Sequence, residues 1–122
     1  ATLLGHKMAV HRPQVWLVNT GWTGGAFGIG TRMSIAHTRA MLAAAFAGQL
    51  DTASYATHPI FNVDVPLACP GVPADILDPR RTWTSPAAYD EQARKVAGMF
   101  ADNFKKVETG VADSVALAGP RV

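Results

Sequence analysis

The stretch "GGAFGIGTRMSIAHTRA", residues 24–40, places four glycines in its first seven positions, then turns to helical spacing with Arg32 at the junction. Glycine frees the backbone for tight turns and for close approach of another group. A loop that leads from a strand into a helix N-terminus also directs unpaired N–H groups and the helix dipole at an anion. The spacing begins like a phosphate-binding loop, since Gly25 and Gly30 stand five apart, but Thr31-Arg32 occupies the place of the required Lys-Ser/Thr pair. The dinucleotide fingerprint fails as well, because Met33 stands at its third glycine position after Gly28 and Gly30. Spacing alone supports equally a loop whose glycines only turn the chain. Arg32 is the sharper signal: a guanidinium just ahead of a helix can stack on a base or meet a phosphate, whereas an ordinary surface arginine pairs with a carboxylate.

Upstream, "VWLVN" (15–19) is apolar on both faces and reads as a strand central in its sheet. Leu3, Leu4 and Met8 fall at helical spacing, which predicts a helix over 2–11 stopped by Pro13. Downstream, Ser34 is the expected N-cap of a helix reaching about Ala47, with Gly48 as its stop. Its apolar stripe is Met41, Leu42, Ala45 and Phe46, and Thr38 lies on the same side. "IFNVDV" (60–65) alternates as a half-buried strand between Pro59 and Pro66. After a proline-rich loop, Ser85 and Pro86 open a helix with the stripe Tyr89, Ala93, Val96, Phe100, Phe104 and Val107, ending near Lys105 and Lys106. From Thr109 onward the residues are small, with "VALAG" as a docking segment. The expected class is mixed α/β, with helices packed on a small sheet.

Composition narrows the function. The chain has 122 residues, 48% hydrophobic and 16% charged, enough for one domain with a core. Its net charge of +2 comes from scattered Lys and Arg, so neither that charge nor a pI near 9.0 is a nucleic-acid footprint. No apolar run reaches membrane-spanning length, and no membrane partner is expected. The single cysteine, Cys69, suits a reducing, cytoplasmic setting and reads as a buried filler. His6, His11, His37 and His58 lack metal spacing, and His37 reads as a solvated or capping residue, so no metal site is expected within this chain. Asp75 and Asp78 flank a turn, where aspartate satisfies backbone N–H groups. The chain starts without methionine and inside a helical pattern, so it reads as a piece of a longer protein. A central strand lacking neighbours then predicts exposed apolar surface and self-association.

Taken together and in order, "LVNTGWTGG", "RMSIAHTRA", "FNVDVP", "PGVPADILDPRRTW" and the helix through "FADNF" resemble the C-terminal part of ATP-dependent phosphoenolpyruvate carboxykinases. The resemblance runs from about Leu3 to Pro120 and implies that residues 1–122 are a single C-terminal segment of a mononucleotide-binding α/β domain. It implies an enzyme that converts oxaloacetate and ATP to phosphoenolpyruvate, ADP and CO₂ in gluconeogenesis. The complete enzyme uses Mg²⁺ and a second ion such as Mn²⁺, is expected to be monomeric, and keeps its phosphate-binding loop, metal ligands and oxaloacetate site outside this segment. By the same resemblance, Arg32, Met33 and Thr38 contribute the adenosine side of the ATP pocket. The base and ribose, rather than the phosphates, then lie near the glycine loop. The segment departs from many relatives in having Thr31 where lysine precedes the arginine, and His37 where several carry an acidic residue. The competing reading is a standalone, non-enzymatic nucleotide- or anion-binding domain of the same ancestry.

Overall fold

Hydrogen-bonding side chains fix where the long helices start. The computed structural model describes residues 2–122. Its elements run α1 (Thr2–His11), β1 (Trp22–Thr23), β2 (Thr31–Arg32), α2 (Ile35–Phe46), β3 (Tyr55–Thr57), β4 (Asp64–Pro66), α3 (Ala74–Leu77), α4 (Pro79–Thr82), α5 (Pro86–Phe104) and α6 (Asp113–Leu117). Ser34 Oγ accepts from the Ala36 N–H at the start of α2, and Ser85 Oγ accepts from the Ala88 N–H ahead of Pro86 in α5. Each such cap is worth about 1 kcal/mol over alanine. Gly48, at φ +68°, lets the chain leave α2 in the left-handed conformation that favours glycine. All these boundaries match the sequence expectation.

The strands depart from it. Mixed helix and sheet is correct, but the sheet consists of two separate antiparallel hairpins, β1–β2 and β3–β4. The apolar segment 15–19 is not a strand, and among the described residues 13–20 make no backbone–backbone hydrogen bond. Apolar character gives a segment a reason to be covered; a strand also needs a neighbour to complete its ladder. Here Trp16 alone turns into the core, packing on Ala44, Leu50 and Cys69 and lying 6.3 Å from the Tyr55 ring, while Leu17 is 88% exposed.

The 60–65 strand is likewise shortened to β4 by a turn. His58 N–H donates to Val63 O, Asn62 N–H donates to His58 O, and Asn62 takes φ +55°. Phe61 and Asn62 therefore belong to the turn of a hairpin whose other strand, β3, had no alternating signature. Pro66 sits within β4, opposite Tyr55, at the end of the ladder where a missing N–H is tolerated.

Two helix stripes are rotated or truncated. In α2, Ala44 is the buried residue and Met41 and Ala45 pack beside it, whereas Phe46 is 88% exposed. In α5, Tyr89, Ala93 and Ala97 are buried, but Phe100 and Val107 face outward. Leu3, Leu4 and Val10 of α1 are exposed as well, so the expected apolar surface is present. No helix among the described residues is long and apolar enough to cross a membrane.

His58 joins three parts of the chain. Its Nδ1 accepts from the Ile60 and Phe61 N–H groups, which leaves the proton on Nε2 to donate to the Tyr89 hydroxyl at 2.9 Å. The turn so held also docks the C-terminal residues: Arg121 N–H donates to Ile60 O, and Asn62 bridges the Leu117 and Ala118 carbonyls and the Arg121 guanidinium. The docking anticipated for "VALAG" thus runs through its carbonyls.

Burial holds the His58 pKa below 6.5, against the opposing pull of Asp78 and Asp90. Below pH 6.5 the unfolded chain then binds a proton at this position that the folded chain resists. Stability from this group is therefore complete above pH 6.5 and declines as pH falls through the lowered folded value. The melting temperature should drop between pH 7.5 and 5.0, and the drop should be shallower in His58→Gln; equal slopes would remove His58 as the cause.

Candidate functional site

The glycine loop closes on itself. Ile29 and Gly30 N–H groups both donate to Ala26 O, and β1 pairs with β2 in the register Trp22–Arg32 and Thr23–Thr31. A Cβ on Gly30 would lie 2.5 Å from Thr23 O and 2.7 Å from Gly25 O, and one on Gly25 would lie 2.9 Å from Gly30 N. Those are contacts between backbone and backbone. The loop is narrow because two stretches of main chain touch across it. Its turn is capped by Phe27, whose ring meets Trp22 edge-on at 5.2 Å.

At the far end of this hairpin, Met33 N–H donates to Gly21 O at 3.0 Å and hands the chain directly to the Ser34 cap of α2. Arg32 in β2, Met33 in the junction and Thr38 in the first turns of α2 consequently face one open depression of about 470 Å³. The three residues singled out in the sequence thus come together. Thr20 and Ile35 complete the lining. Sequence reasoning passed over both. Neither has a sequence signal of its own: Ile35 is the first residue of α2, and Thr20 follows the segment 15–19.

The chemistry of the lining is specific. Among the described residues Arg32 has no ion-pair or hydrogen-bond partner, unlike Arg80, Arg81 and Arg121. The ordinary carboxylate-paired arginine is therefore not what stands here. Thr38 Oγ1 donates to Ser34 O at 3.2 Å, so its lone pairs remain available to accept. A free guanidinium, two apolar side chains and two hydroxyls suit a flat heteroaromatic ring and a sugar hydroxyl. They do not supply a cradle for several phosphates.

The charged groups around α3, α4 and the start of α5 are paired. Arg80 makes a two-pronged pair with Asp90, at 2.8 and 3.1 Å, and this hydrogen bonding holds the Asp90 carboxyl below its usual range. Arg81 pairs with Asp75, and Asp78 accepts from the Arg80 N–H. A smaller cavity of about 270 Å³ between the β3–β4 hairpin and α3–α4 includes His58, Asp78 and Arg81, all engaged in this way. Cys69 is buried and its thiol pKa is pushed up by that burial, consistent with a filler. Among the described residues no group of three or more His, Cys, Asp or Glu comes close enough to hold a metal ion.

The family model described as phosphoenolpyruvate carboxykinase matches residues 1–75. A phosphoenolpyruvate carboxykinase (ATP) of Thermus thermophilus is 52% identical over 121 residues, covering 99% of this chain and 23% of that relative. Phosphoenolpyruvate carboxykinase (ATP) 2 of Moorella thermoacetica is 51% identical over 122 residues, and the Rubrobacter xylanophilus enzyme 49% identical, each covering all of this chain and 23% of the relative. The chain thus spans about a quarter of the length of these relatives.

The loop geometry separates two kinds of glycine. Gly28 has open space around it but sits at φ +88°, so Gly28→Ala should cost about 1–2 kcal/mol in backbone strain alone. Gly30→Ala should cost more, because the new methyl group meets main chain that cannot step aside. Urea midpoints of the two variants measure the difference, and equal midpoints would contradict the backbone closure.

Proposed function

Because the chain belongs to the phosphoenolpyruvate carboxykinase family, we propose that it forms the adenosine side of the ATP pocket in an ATP-dependent member of that family. The observation that carries this reading is the unpaired Arg32 guanidinium facing the same depression as Met33 and Thr38. In this reading residues 1–122 are a single segment of a mononucleotide-binding domain. The complete enzyme decarboxylates oxaloacetate and transfers the γ-phosphoryl of ATP to give phosphoenolpyruvate, ADP and CO₂, a cytoplasmic step of gluconeogenesis.

The residues present fit the nucleoside and leave the rest of the reaction to other parts of the enzyme. The Arg32 plane stacks on the purine, a contact worth about 0.5–2 kcal/mol depending on how far water is excluded. Met33 and Ile35 offer apolar surface to the ring edge, and Thr38 Oγ1 accepts from a ribose hydroxyl. ATP supplies the transferred phosphoryl group. Mg²⁺ and Mn²⁺ would be held by residues of the complete enzyme outside this segment, where they would supply charge stabilisation to the transferred phosphoryl group. Nothing in the lining touches the reacting phosphorus, so its contribution is to binding in ground and transition state alike.

Arg32→Ala in the full-length enzyme should therefore raise KM for ATP by about 2- to 30-fold, the equivalent of that stacking energy, with little change in kcat. Unchanged KM would sink the site assignment. A fall in kcat at constant KM would place Arg32 nearer the chemistry than proposed. The exposed apolar side chains of α1, Leu17 and Phe46 are covered in the complete enzyme, which is monomeric, and the 122-residue chain alone self-associates through them. A monodisperse monomer in light scattering would count against that.

A further inference from the structure

The hairpin that carries Arg32 has two residue pairs, and a ribbon of that size is marginal by itself in water. Among the described residues, hydrogen bonds from outside the Gly21–Met33 segment reach it from two side chains: Asn19 beside it in sequence, which accepts from the Gly21 N–H at 2.9 Å, and Thr82 at the end of α4, which ties it to a distant element. The Thr82 hydroxyl donates to Pro79 O at 2.7 Å, while its oxygen accepts from the Gly24 N–H at 3.1 Å and from the Thr23 hydroxyl at 3.3 Å. A hydroxyl has one donor and two acceptor sites, so Thr82 is fully used in a bond pattern that joins α4 to β1.

Gly24 stands at φ +75°, and a Cβ there would lie 3.3 Å from Thr82 O, so glycine is what admits this close approach. Helix α4 is in turn fixed on α5 by the Arg80–Asp90 pair. Thr23 pairs directly with Thr31, the residue before Arg32. The path from the longest helix to the nucleotide-facing guanidinium thus runs through one hydroxyl, 50 residues away from Arg32 in sequence.

We propose that Thr82 is a positioning residue for nucleotide binding: without touching the nucleotide, it sets the place of Arg32 by clamping the hairpin where β1 runs into the glycine loop. This rests on the reading of Arg32 as a nucleotide contact. The two ideas fail in different ways.

The test is a double-mutant cycle in the full-length enzyme, with MgATP affinity measured by calorimetric titration and KM and kcat measured alongside. Thr82→Val keeps the shape and removes the hydroxyl; it should weaken MgATP binding about 3- to 10-fold, the range for a lost neutral hydrogen-bond set, with kcat little changed. Thr82→Ser should restore parental affinity. In an Arg32→Ala background, Thr82→Val should have no further effect, because the group it positions is gone. Parental affinity in Thr82→Val would overturn the positioning role, as would an undiminished loss in the Arg32→Ala background. Unchanged affinity in Arg32→Ala itself would instead overturn the site reading beneath it. Should Thr82→Val fail to fold, Thr23→Val removes the opposite hydroxyl and is subject to the same outcomes.

Discussion

The contact between the Gly25 and Gly30 backbones governs the geometry of the whole candidate site. Main chain can meet main chain there only because neither residue carries a side chain. Once it does, β1 and β2 are brought into register, Arg32 is set opposite Trp22, and the chain emerges at Met33 already aligned with the first turn of α2. Thr38 comes to the same depression because it lies one turn inside that helix. The glycines thus shape the depression without lining it. A glycine-rich loop is commonly taken as the place where a phosphate approaches, and here the space that glycine leaves is filled by the loop itself.

This explains what could and could not be read from the sequence. Helix ends were legible because Ser34, Ser85, Pro86 and Gly48 act through bonds to residues within four positions. The family resemblance names Arg32, Met33 and Thr38 together, and their local order brings them to one depression. The strands were legible only in part, at β4, since apolar pattern marks a segment to be covered but not the partner that completes its ladder. Residues 15–19 have the composition of a central strand but no neighbouring ladder, and β3 pairs despite lacking alternation. Thr82 had no signal at all. A threonine in a proline-rich loop gives no hint that its hydroxyl will meet Thr23 and Gly24.

The small core follows the same division. Ala44, Leu50 and Cys69 form one buried cluster, and Tyr89, Ala93 and Ala97 line the buried face of α5. Buried alanines signal helices packed with little side chain between them, which limits the apolar area each contact removes from water. Polar connections such as His58–Tyr89 and Arg80–Asp90 also join elements across this small core. Arg80–Asp90 is two-pronged, the geometry in which a partly exposed pair is most useful.

The unpaired backbone of residues 13–20 has a kinetic consequence. With no main-chain acceptor among the described residues, those N–H groups should exchange with solvent deuterium at rates close to those of an unfolded chain, even though Trp16 anchors their middle in the core. Any neighbour that pairs with this segment slows that exchange residue by residue, on alternate amides if it adds along one edge and on all of them if it adds along both. The stretch is a built-in ruler for sheet completion, legible by mass or by proton resonance without altering a single residue.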